Sequence, residues 1–155
     1  MNEVKRAALL AASLSSFLTS FMASSVNLAL PSIGRELLMD AILLGWVASS
    51  FLLAAAMFLV PVGRIADIHG RRKVFAFGVL FFTLSSLLAG VSTSAASLIL
   101  SRFLQGVSAA MIYGTSVAIL TSVFPAGERG RALGVAVASV YLGLSLGPFL
   151  GGLLT

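Results

Sequence analysis

The sequence predicts an all-α integral membrane protein, a bundle built from five membrane-spanning helices. Three observations predict it. Of 155 residues, 59% are hydrophobic and only 10% charged, whereas an average soluble domain is roughly a quarter charged. The mean hydropathy is +1.08, so polar side chains are too few to cover a water-exposed surface. Finally, the charges gather between long charge-free stretches, each exceeding the ~20 apolar residues that carry a helix across the hydrocarbon.

Those stretches are Ala7 to Gly34, Ala41 to Gly63, Val74 to Ser101, Phe103 to Gly127 and Ala132 to Thr155. The first follows Lys5 and Arg6 and meets Pro31, so helix 1 is expected over 7–31. The second ends where the cations of Arg64, Arg71, Arg72 and Lys73 begin, giving helix 2 over 41–63. Only Arg102 separates the third from the fourth, but Gly90-Val91-Ser92-Thr93-Ser94 is rich in turn formers and is the better break. Helices 3 and 4 are therefore expected over 74–91 and 95–124, and helix 5 over 132–155. Arg102 then lies about 10 Å inside helix 4.

Orientation follows from the cations. Lys5, Arg6, Arg64, Arg71, Arg72, Lys73, Arg129 and Arg131 fall on one side, and Arg35 alone on the other. Eight against one places the N-terminus in the cytoplasm and runs helix 1 outward. The net charge of +5, in so apolar a chain, points to anionic lipid headgroups and not to nucleic acid. With no cysteine, one histidine and five acids, there is no disulfide framework, thiolate nucleophile or thiolate metal site. No nucleophile–base pair is visible, so an enzyme is not expected.

Two helices carry polar stripes. Ser13, Ser16, Ser20, Ser24 and Asn27 fall in one narrow sector of helix 1 at 100° per residue. They are either a small-residue packing face or the lining of a hydrated path. Helix 4 aligns Arg102, Gln105, Gly106, Ala109 and Tyr113. An intramembrane guanidinium costs about 2.5 kcal/mol even on insertion scales, which favours a cavity or a partner over lipid. No Asp or Glu lies within a span; Glu36, Asp40, Asp67 and Glu128 all sit at span ends or between spans.

Four local patterns resemble the major facilitator superfamily, in particular its fourteen-helix multidrug:proton antiporter branch. Gly63-Arg64-Ile65-Ala66-Asp67-Ile68-His69-Gly70-Arg71-Arg72-Lys73 is similar to the loop 2–3 signature G-x-L-A-D-R-x-G-R-[KR], with Ile68 where the signature has arginine. Arg102-Phe103-Leu104-Gln105-Gly106 followed by Ala110 resembles the helix 4 pattern R-x-x-Q-G-x-x-x-A. Gly134, Gly143, Gly147-Pro148 and Gly151-Gly152 match the antiporter signature G-x8-G-x3-G-P-x2-G-G. Val26-Asn27-Leu28-Ala29-Leu30-Pro31 is similar to the branch's V-N-V-A-L-P, but Met22 stands where an aspartate is common.

The resemblance implies the N-terminal five transmembrane helices of a major facilitator-type bundle, in the plasma membrane. It implies a transport pathway at Arg102, Asn27, Gln105, Tyr113, Ser20 and Ser24, with Arg102 in proton coupling. A conformational latch is implied at Gly63, Asp67, Gly70, Arg71 and Arg72, and a sealing helix 5. The implied activity is proton-coupled efflux of small organic compounds, driven by the proton gradient without a cofactor or metal. Membrane lipids and a small organic substrate are the expected partners. The chain stops at Thr155 without a sixth helix, so it is expected to be an N-terminal portion that lacks its C-terminal half. The alternatives are a uniporter or nutrient symporter of the same fold, and a truncated protein that binds a partner through the groove of Gly143, Gly147 and Gly151.

Overall fold

The computed structural model describes residues 2–154, with side chains through Gly151. Its helices are α1 (Glu3–Glu36), α2 (Ala41–His69), α3 (Arg71–Gly90), α4 (Ala95–Val123) and α5 (Ala126–Leu154). All five are long and apolar enough to cross a membrane.

Four of the five expected ranges are too short, because a charge ends a hydrophobic stretch but does not end a helix, and because Pro31 does not end α1 either. α1 starts at Glu3 and runs through Pro31 to Glu36. α2 continues through Arg64 and Asp67 to His69, so most of the expected 2–3 loop is helical. The chain turns only at Gly70, whose φ of 101° suits a residue without a Cβ. α3 begins directly afterwards at Arg71 and α5 begins at Ala126, just past Pro125, with Phe124 held extended as a residue before proline usually is.

The start of α4 agrees with expectation. Ser94 caps it, its hydroxyl accepting from the Ser97 amide while Ser97 Oγ accepts from the Ser94 amide. Asp40 caps α2 through a 2.8 Å bond from the Leu43 amide, so this acid serves the helix end.

α4 is the most deeply buried helix, with α2 and α3 packed along it and α1 against it, while α1 pairs with α5. α1 and α5 run parallel. Lys5 Nζ meets Glu128 Oε2 at 2.7 Å near their starts, and Ser25 Oγ donates to Gly147 O at 3.1 Å near their ends. α1 runs antiparallel to α4, since Ser20 meets Tyr113 and Ala12 packs with Leu120. Outward faces carry large apolar side chains, as with Phe77, Leu80, Phe81 and Leu84 on α3. In lipid such faces give no drive to associate, and close packing of small residues holds helices together instead.

Candidate functional site

The site grows from two glycines that let helices close on α4. A Cβ on Gly106 would run into the Phe51 carbonyl oxygen and lie 2.8 Å from Ala54 Cβ, both on α2. A Cβ on Gly78 of α3 would lie 2.8 Å from Met111 Cβ. Backbones this close leave room for one large polar side chain to reach across, and Arg102 is that side chain.

Arg102 is 1% exposed. Its Nε donates to Val47 O at 3.3 Å and its Nη1 to Gln105 Oε1 at 2.8 Å. The guanidinium carbon lies 4.6 Å from the centre of the Phe51 ring, a cation–π contact strengthened by exclusion of water. Val47 and Phe51 are one helical turn apart on α2, so a single stretch of that helix supplies both contacts. Gln105 Nε2 donates to Ser86 Oγ of α3 at 2.9 Å, and Ser86 donates to Phe82 O at 2.7 Å. Among the described residues Arg102 makes no ion pair.

The helix 4 stripe thus divides. Arg102, Gln105 and Gly106 are turned into the seams with α2 and α3, where they are closely packed. Tyr113 instead meets α1, with its hydroxyl 2.9 Å from Ser20 Oγ. The helix 1 stripe divides as well. Ser20 joins Tyr113, whereas Ser24 donates to Leu144 O of α5 at 3.0 Å. Asn27 is exposed and has no hydrogen-bond partner among the described residues.

The α5 glycines explain the Ser24 contact. A Cβ on Gly143 would lie 2.5 Å from Phe17 O, and one on Gly147 would lie 2.7 Å from Ser24 Cβ. Gly151 faces Ser25. The groove is filled by α1, which stands against the alternative of a surface open to an outside partner. Pro148 has no amide hydrogen, so Leu144 O lacks its helical donor; Ser24 supplies the replacement. Gly134 has open space around it, Pro148 is exposed, and the packing of Gly152 lies outside the described residues.

At the α2–α3 turn, Arg71 Nε and Nη2 each lie 3.0 Å from Asp67 Oδ1. Arg71 Nη1 also donates to Ala118 O at 3.2 Å, tying the turn to α4. This second bond was not visible in the sequence, since a backbone carbonyl carries no residue signature. Gly63 is half-buried with free space beside it, and Arg72 is exposed. The sequence reading also missed Ser86 and Ser25. Each stands beside another serine, Ser85 and Ser24, and no stripe marked it.

A bundle of spanning helices gathered round one hydrogen-bonded intramembrane arginine defines a polytopic membrane protein with a polar core, the general construction of a solute transporter. The chain belongs to the Major Facilitator Superfamily, whose pattern matches residues 12–155.

Among similar proteins, multidrug resistance protein Stp of Mycobacterium tuberculosis is 39% identical over 99% of this chain and 29% of its own length. The cephamycin export protein CmcT of Amycolatopsis lactamdurans is 43% identical over 96% of this chain and 31% of its own. The puromycin resistance protein of Streptomyces alboniger is 44% identical over 84% and 26%. The chain therefore spans about 30% of the length of these relatives. A crystal structure of a bacterial homologue of the human lysosomal transporter Spinster superposes with a TM-score of 0.89, covering 100% of this chain and 33% of that one at 20% identity. That likeness establishes the fold.

Proposed function

We propose that these helices are the first part of a plasma-membrane exporter of small organic compounds, driven by the proton gradient, with a further bundle completing the pathway. The observation that carries the reading is the buried, acid-free network of Arg102, Gln105 and Ser86. A cation held in the membrane by neutral groups alone responds strongly to any charge that enters beside it, because the surroundings screen little. Relatives with printed names of export and resistance favour outward transport over uptake, and the filled α5 groove disfavours a mere packing partner. Asp67 and Arg71 would act as a latch at the inner surface, and Asn27, exposed on α1, would face the pathway.

The test is efflux from cells or vesicles carrying the full-length transporter. Export of a cationic dye should stop when a protonophore collapses the gradient, and transport that continues unchanged would exclude proton coupling.

Orientation has its own check. This chain has no cysteine, so single replacements give clean reporters within it. A cysteine in place of Thr93, in the α3–α4 connection, should react with a membrane-impermeant thiol reagent in intact cells. One in place of His69 should react only after permeabilisation. The opposite pattern would invert the bundle.

A further inference from the structure

We propose that the seam between α1, α4 and α5 holds a buried water bridging Ser13 and Ser116, reached from a surface cleft through an apolar collar. Hydroxyls buried in these helices commonly bond to their own backbone. Thr19 donates to Ser15 O at 2.7 Å, and Ser108 donates to Leu104 O at 2.8 Å. The Ser13 and Ser116 hydroxyls are shut from solvent and have no hydrogen-bond partner among the described residues. A buried hydroxyl that forgoes its own carbonyl calls for another partner.

The register says what fits. α1 lies antiparallel on α4, with Ser20 against Tyr113 and Ala12 against Leu120. Counting between these pairs sets Ser116 opposite Ser16 and Ser13 opposite Ile119. The two orphan hydroxyls are therefore about one helical turn apart, roughly 5 Å along the seam. One water, with two bonds of about 2.8 Å, covers that offset along the seam. Ser16, which is 3% exposed, brings a third hydroxyl to the same face. Two to four polar partners are what a buried water requires.

An entrance lies next to it. A cleft of about 640 Å³ opens where α1, α4 and α5 meet, lined by Lys5, Glu128 and Arg131 among others and floored by Leu9, Phe124 and Ala132. Leu9 is one turn before Ser13. Ala12, Leu120, Phe124 and Ala132 pack together as the collar between cleft and serines. Beyond the serines the seam reaches the Ser20–Tyr113 bond, so the water lies between the charged cleft and the middle of the bundle. The site does not depend on proton coupling.

Radiolytic hydroxyl-radical labelling of the full-length protein in detergent tests it, because the radicals form from the bound water itself. Leu120 and Ile112 are aliphatic, on the same helix, and each 1% exposed. Leu120 borders the seam, whereas Ile112 packs towards Phe51 and Phe82 of α2 and α3. Leu120 should be oxidised several-fold faster than Ile112, and the pair Ser13→Ala and Ser116→Ala should bring it down to the Ile112 rate. Thermal unfolding gives a second reading. With a shared water, each serine change lowers Tm by a few degrees and the double change lowers it little further. Equal labelling of Leu120 and Ile112 in the unaltered protein, or a Tm that holds or rises when the serines are removed, would overturn the proposal.

Discussion

Replacing Arg102 with methionine in the full-length transporter is expected to cut substrate export at least about tenfold, the equivalent of 1.4 kcal/mol in the rate-limiting barrier, while leaving the protein folded. The two effects separate for a physical reason. A buried cation stabilises little, because its desolvation cost consumes most of what its contacts return, and apolar replacements of buried ionic groups are often neutral. Methionine would lose the contacts to Val47 O and Phe51. It would also leave Gln105 Oε1 without its donor, a cost of about 1–3 kcal/mol, set against relief from burying charge. Lysine at the same position keeps the charge but cannot reach Val47 O and Gln105 in two directions from one fork, so it should restore export only in part. Export rate measured beside Tm checks both. Equal loss of activity and folding in the methionine variant would reduce Arg102 to a packing element.

Gly106→Ala is expected to have the largest effect on folding of any one-methyl change in the bundle. Its Cβ would meet the Phe51 carbonyl and Ala54 Cβ, and a backbone carbonyl cannot swing aside as a flexible side chain does. Overpacking costs about 1–3 kcal/mol, and the rigid neighbour puts this site at the upper end. α2 would be pushed from α4, lengthening the bond from Arg102 to Val47 O. Gly143→Ala should behave alike, since the carbonyl of Phe17 stands in its way. Gly134→Ala is the control. With open space around it, the change should be neutral or stabilise the helix by about 0.5–1 kcal/mol. Unfolding temperatures and monodispersity of the three variants test the ranking; a Gly134 change as harmful as the Gly106 change would contradict it.

The comparison of Gly134 with Gly143 shows how far a sequence pattern reaches. Both belong to one spaced signature, yet only Gly143 is pressed against another helix. Spacing along the chain gives the face on which a residue lies. It does not say whether that face is met by a neighbour. The polar stripes teach the same. Ser20 and Ser24 share a sector of α1, but Ser20 bonds to α4 and Ser24 to α5, because the stripe runs along the line where two helices meet.

What the sequence determined by itself was the class of fold, the number of spans and the burial of Arg102. These depend on hydropathy and length, which are summed over twenty residues at a time and tolerate local error. The tertiary structure alone decided how far α1 and α2 ran past their expected ends, which carbonyls received Arg102, Arg71 and Ser24, and that α1 fills the α5 groove. Backbone acceptors are the same in every residue, and in lipid the choice of neighbour rests on the close fit of small side chains. Both are properties of surfaces brought together, so neither is written in the order of residues along one helix.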